Sequence, residues 1–205
     1  MYWGKWRHRK FKRPEKFRRM GCREFFDANA GNNDRCKALQ QQPVEVQIAW
    51  ELENASAHSP SPVLDEENLI RYWLNPVHYD SQTGTLKVTA FDDASNKGLS
   101  VNRGAHVTLE ELKGIAQARV DEWIAHNAEK APRQLIGYSV FAAAEARAVH
   151  VPIPPDSRRA LAVYDTAKPD DASHADVCQI ASNAQGGRSA RLQMRNLVNE
   201  RLQRF

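Results

Sequence analysis

From Val44 to Glu53 the chain alternates. Val44, Val46, Ile48, Trp50 and Leu52 are apolar, and Glu45, Gln47, Ala49, Glu51 and Glu53 follow them in turn. Period-two alternation predicts a half-buried strand, because successive side chains of a strand point to opposite faces. Asn54–Pro62, small residues with prolines, predicts a loop. Leu69–Leu74 is apolar and aromatic and predicts a strand, which Asn75-Pro76 ends. Asp80–Gly84 predicts a turn, Thr85–Phe91 a strand, Asp92–Gly98 a turn and Leu99–Arg103 a short strand.

Thr108 and Glu111 have the spacing of a capping box, in which each side chain serves the other's backbone N–H. Leu112, Ile115, Ala116, Val120, Trp123 and Ile124 then recur at helical spacing, ahead of Pro132. Leu135–Phe141 predicts a strand, Ala142–Ala148 a helical turn and Val151–Pro155 an extended segment, because proline fixes φ and restricts its predecessor. Leu161–Tyr164 and Ala175–Ile180 are the last strands. Gln185-Gly186-Gly187 reads as a hinge before a helix capped by Ser189, with Met194, Leu197, Val198, Arg201 and Phe205 on one side. Strands come in runs instead of alternating with helices. That predicts an α+β fold, a mostly antiparallel sheet packed by two amphipathic helices at about 108–130 and 189–205.

Charge divides the chain differently. Residues 1–20 hold nine Lys/Arg against Glu15, a net +8 within a whole-chain charge of +4. Residues 185–205 add a further +4, so residues 21–184 sum to −8. The expected organisation is a disordered basic, aromatic arm and linker over 1–42, with one short helical turn around Arg23–Asp27, a strand and Pro/Ser loop extension over 43–62, and a single α+β domain over 63–205. The cations expected to meet an anion are Lys5, Arg7, Arg9, Lys10, Lys12, Arg13, Arg18, Arg19, Arg188, Arg191 and Arg195. In the arm they are interleaved with Tyr2, Trp3, Trp6, Phe11 and Phe17, which suits phosphate neutralisation with base stacking, or an anionic membrane surface. The charges run through the place where a secretory leader needs its apolar core, so cytoplasmic residence is the expectation. Cys22, Cys36 and Cys178 form no C-x-x-C, and neither a structural metal nor a cofactor is expected.

Three constellations carry candidate chemistry. His78-Tyr79-Asp80 and His174-Ala175-Asp176 each present an imidazole and a carboxylate on one face of a strand. Brought together, His78, Asp80, His174 and Asp176 would suit a metal-assisted hydrolase. Cys178 lies four residues beyond His174, and at ~3.3 Å per strand residue it is too far for direct activation. Arg71 interrupts an apolar strand and needs an anion, with Asp165 as the expected partner; Ser100, Asn102 and Arg103 are further polar groups on short strands.

Leu69-Ile70-Arg71, Thr89-Ala90-Phe91, Gly98-Leu99-Ser100-Val101, Val163-Tyr164-Asp165 and His174-Ala175-Asp176 occur in that order, the last after the turn Lys168-Pro169-Asp170-Asp171. In this the chain from about Leu69 onward resembles a group of small uncharacterised bacterial proteins. The resemblance implies a single domain and no particular reaction. The leading functional expectation is a non-enzymatic binding or accessory protein whose basic termini contact an anionic partner, nucleic acid foremost. The alternatives are the metal-assisted hydrolase and a protein-interaction module with an acidic face.

Overall fold

The computed structural model describes residues 20–153, 156–181 and 184–205. Three short helices open it: α1 (Cys22–Ala28), α2 (Arg35–Leu39) and α3 (Val44–Ala49), the last running into a 3-10 turn at Trp50–Leu52. Then come β1 (Asn68–Asn75), a small hairpin of β2 (Tyr79–Asp80) and β3 (Thr85–Leu86), a 3-10 helix over Val88–Ser95, and β4 (Leu99–Arg103). α4 (Leu109–His126), β5 (Gln134–Ala142) and α5 (Ala143–Arg147) follow, then a second hairpin of β6 (His150–Ile153) and β7 (Asp156–Arg159). The chain closes with β8 (Leu161–Tyr164), β9 (His174–Gln179), α6 (Ala184–Asn199) and β10 (Gln203–Arg204).

Six strands form one sheet in the order β10-β5-β1-β4-β9-β8, and every pairing in it is antiparallel. The fold is α+β, as the runs of strands predict. One face of this sheet is apolar. Leu69, Trp73, Leu99, Val101, Phe141, Val163 and Val177 meet Phe91 of the 3-10 helix and Met194 and Val198 of α6. The two polar groups there are satisfied: Trp73 Nε1 donates to Ser139 Oγ (2.9 Å), whose hydroxyl donates to the carbonyl of Val198 (2.8 Å).

The second face has two covers. At the β8–β9 end, Ala162, Tyr164, Cys178 and Ile180 pack on Phe25, Phe26, Cys36, Leu39 and Trp50 from the opening helices. Toward β1 and β5 lies α4, which buries Leu112, Ala116 and Val120. Between the covers run side chains of β4 and β9 that are polar. Ser100 stands opposite Asp176, and Asn102 opposite His174.

Several elements differ from the pattern-based expectation. The strand read over 43–53 is α3 and its 3-10 turn. Its buried members are Gln47, Trp50 and Glu51, spaced three and four apart, while Ile48 and Leu52 are exposed. The helix is fixed by buried polar groups: Glu51 accepts from Arg147 Nε (2.9 Å), Arg159 and the Val163 N–H (2.7 Å), and Gln47 donates to the carbonyl of Gln42 (2.7 Å). Within the linker part of the 1–42 segment, the helical turn expected around Arg23–Asp27 is α1, but α2 follows it, and the two bury Cys22, Phe25, Phe26, Cys36 and Leu39. Of the strand read over Thr85–Phe91, only Thr85–Leu86 pairs as a strand; Lys87 is extended and caps a 3-10 helix that begins at Val88. The first long helix has the Thr108–Glu111 capping box but ends at His126. The last one, expected over 189–205, runs Ala184–Asn199, so Gly186-Gly187 lies inside it, while Gln203–Arg204 beyond it pairs as β10. A Cβ at Gly187 would stand 2.7 Å from the Gln179 amide, so the glycine lets the helix approach β9 closely.

Candidate functional site

The polar strip ends in a cleft of about 310 Å³. Its floor is the β4–β9 pair. Strand pairing places Ser100 and Asp176 side by side, and the alternation of β9 puts His174 on the same face. Ser100 Oγ lies 3.2 Å from His174 Nε2 and 3.5 Å from Asp176 Oδ1. The other ring nitrogen, Nδ1, is 3.0 Å from the carbonyl oxygen of Thr166 and 2.9 Å from its hydroxyl. A carbonyl oxygen only accepts, so Nδ1 carries the proton and Nε2 turns its lone pair to Ser100. The Thr166 hydroxyl in turn donates to Asp176 Oδ2 (2.9 Å). Burial lowers the affinity of His174 for a proton below that of free imidazole, against the pull of Asp176, and the ring is neutral at pH 7.

The walls are basic. Arg35, the first residue of α2, bonds Asp176 Oδ2 at 2.5 Å and also donates to the carbonyl of Lys97. Lys97 and Lys168 stand exposed on the rim, with the Ala30–Asn33 loop opposite. Gly98, at φ +98°, lets the chain pass so close that a Cβ there would meet the Asp176 side chain at 2.8 Å. The lining holds three cations and one carboxylate, Asp176; Lys97 also pairs with Asp93 (3.6 Å) outside the lining, so the cleft is a basic spot in a segment whose sequence sums to −8.

The sequence-predicted residues divide sharply. His174 and Asp176 line the cleft together with Ser100; His78 and Asp80 do not. His78 Nδ1 accepts from the Leu74 N–H (3.2 Å), and its ring stands edge-on to Trp73. Asp80 accepts from the Gln82 N–H in its exposed turn. Among the described residues no group of three or more His, Cys, Asp or Glu side chains could hold a metal ion, so the four-ligand arrangement is not formed.

Arg71 does not pair with Asp165. It donates to the carbonyl of Ser100 and lies over the Trp73 ring. Asp165 belongs to Arg103, which bonds Asp165 (2.7 Å) and Glu67 (2.6 and 2.8 Å) and is 1% exposed. Asn102 donates to Ser173 (2.7 Å), fixing the turn that delivers His174. Cys178 is fully buried and hydrogen-bonded to Cys36, which together with burial pushes its thiol well up, the state of an inert core thiol. Arg191 pairs with Asp92 (3.1 Å), Arg195 donates to the carbonyl of Leu86 (3.0 Å), and Arg188 is exposed. Lys5, Arg7, Arg9, Lys10, Lys12, Arg13, Arg18 and Arg19 lie outside the described residues.

Arg35, Lys97, Thr166 and Lys168 carry no sequence motif of their own. The indirect signal was proximity: three of the four stand within three residues of Gly98-Leu99-Ser100-Val101 or the Tyr164-Asp165 step, and both converge here. No family model, curated protein or solved structure matches the chain. Among the described residues no helix is long and apolar enough to cross a membrane.

Proposed function

We propose that the protein binds an anionic partner, with nucleic acid as the class, and that the cleft between the Ala30–Asn33 loop and β4 is where one anionic unit of that partner is seated. The observation that carries this reading is the placement of Arg35, Lys97 and Lys168 in a cleft lined by one carboxylate, Asp176, with Lys97 reaching Asp93 (3.6 Å) only at its outer edge, on a body otherwise rich in acids. A concave site held positive inside a repelling surround concentrates an anion locally and rejects it elsewhere. The volume suits one small polar group, at the lower end of ligand pockets of roughly 300–1,000 Å³. The basic, aromatic opening segment supports the same reading from sequence, as a second and less specific grip.

Fluorescence anisotropy of a labelled single-stranded oligonucleotide tests this. Binding is expected to weaken as salt rises, with a log–log slope of about −0.7 per phosphate neutralised. The double variant Lys97→Glu/Lys168→Glu is expected to weaken binding by at least about tenfold, the cost of replacing attraction with repulsion at two contacts. Binding that ignores salt, or that survives the double reversal unchanged, refutes the reading.

A further inference from the structure

We propose that Ser100 and His174 are a nucleophile and general base, and that the cleft hydrolyses a carboxylic ester that carries an anionic group. For the anionic group of its substrate, though not for the ester, the proposal rests on the binding reading. Its chemistry rests on geometry alone.

A serine hydroxyl is a weak nucleophile until a base takes its proton, and that base must lie within hydrogen-bond reach and be held by a third group. Each requirement is met. Ser100 Oγ and His174 Nε2 are 3.2 Å apart. The ring is fixed by Nδ1 donating to the Thr166 carbonyl. Thr166 is itself fixed through its hydroxyl to Asp176, which Arg35 holds. Ser100 is half-exposed and faces the cleft, while His174 and Asp176 are almost wholly buried behind it. A substrate therefore meets the hydroxyl first, and water does not surround the base.

In the first step Ser100 Oγ bonds to the ester carbonyl carbon and its proton passes to His174 Nε2. The resulting imidazolium faces Asp176 Oδ1 at 3.9 Å. The carbon–oxygen bond to the alcohol then breaks, and the alcohol leaves with the proton from Nε2. A water molecule, deprotonated by the same nitrogen, cleaves the seryl ester and releases the carboxylic acid, restoring the hydroxyl. Lys97 and Lys168 seat the anionic group of the substrate and take no part in bond changes.

The test treats the full chain with a fluorophosphonate probe, which forms a phosphonyl–serine bond with loss of fluoride, and maps the label by peptide mass spectrometry. The label is expected on Ser100, absent in Ser100→Ala and slowed about 10²- to 10⁴-fold in His174→Asn, the range for losing a general base. In parallel, mono-p-nitrophenyl succinate is expected to be hydrolysed at least about tenfold faster than the uncharged p-nitrophenyl acetate, a preference that Lys97→Glu/Lys168→Glu abolishes. A folded wild-type chain without label on Ser100 overturns the proposal, as does hydrolysis unchanged in Ser100→Ala. The wild-type map requires no variant to fold. Oligonucleotide binding without labelling defeats the nucleophile and leaves the binding reading standing. Labelling with no preference for the succinate supports the nucleophile and defeats the anionic substrate.

Discussion

The step His-x-Asp occurs twice in this chain, and the two copies sit in opposite surroundings. His78 follows β1, its ring edge-on to Trp73 at 5.7 Å between centroids, and Asp80 is spent on an exposed turn. His174 and Asp176 lie on a strand flanked by β4 and β8, and both are almost wholly buried. The second copy has acquired three things from elsewhere in the chain: Ser100 from the strand opposite, Thr166 from the segment before β9, and Arg35 from a helix 141 residues upstream of Asp176. The pair of residues is thus only the raw material. A strand neighbour on the correct face and a cover that excludes water make it a site.

Substituting the two carboxylates should break the equivalence most visibly. Asp176→Asn leaves Arg35 without its counter-charge in a water-poor wall and takes an acceptor from Thr166. Removing one partner of a buried ion pair costs about 3–5 kcal/mol. Urea denaturation should show a loss of that size, with oligonucleotide binding impaired as α2 loosens. Asp80→Asn, at a solvated turn, should leave the midpoint where it is. Equal losses from both would mean that burial does not separate the two copies.

The same contrast sets what sequence can reveal. Strands with apolar neighbours on both sides, such as Leu69–Leu74 and Leu161–Tyr164, were legible, as was the Thr108–Glu111 cap, because their signals are local. His174, Asp176 and Ser100 were legible as candidates, but nothing local says that Ser100 faces Asp176, since strand register is a long-range property. The 44–52 segment misled because its alternation is genuine yet its fold is set by buried Gln47 and Glu51: Glu51 is held by Arg147 and Arg159, and the Gln47 carbonyl by the Tyr164 hydroxyl, all some hundred positions away. Arg35 lies in a polar stretch that reads as linker, and only the packing of Phe25, Phe26 and Cys36 on Tyr164 and Cys178 brings it to the cleft.

Two glycines sharpen the comparison at a smaller scale. Gly84, at φ +68° in the turn begun by Asp80, has room for a Cβ, which would meet Tyr79 Oη at an ordinary contact distance of 3.7 Å. Gly98, at φ +98°, has no such room, for a Cβ would stand 2.8 and 2.9 Å from two carbons of Asp176 and 3.1 Å from Arg35. Gly84→Ala should cost only the left-handed backbone penalty of about 1–2 kcal/mol. Gly98→Ala carries the same penalty and must also displace Asp176, so a loss of roughly 2–3 kcal/mol is expected, with strain at such positions of order 1–3 kcal/mol. Thermal unfolding measures the stability, and anisotropy should show binding lost in Gly98→Ala alone.

Acidification should produce the smallest effect, and here the two copies act in the same direction. Burial, with Arg71, Arg133 and Lys87 nearby, lowers the pKa of His78 to about 3. Burial and Lys168 also lower that of His174, although Asp176, Asp171 and the Thr166 carbonyl oppose them. Between the lowered folded value and the ordinary value of about 6.5, the unfolded chain binds a proton that the folded chain refuses, so stability falls as pH falls. One such histidine removes up to about 1.4 kcal/mol on going from pH 7.5 to 5.5. For His78 in a chain of this size that is a drop in Tm of up to roughly 3–5 °C, with His174 adding to it in the same direction. His78→Gln, which keeps an acceptor for the Leu74 N–H, should remove its share of that slope and leave cleft binding intact. A Tm that holds constant or rises from pH 7.5 to 5.5 would show that both rings are free to protonate in the folded protein, and the neutral, lone-pair-bearing His174 that the cleft chemistry requires would be lost with it.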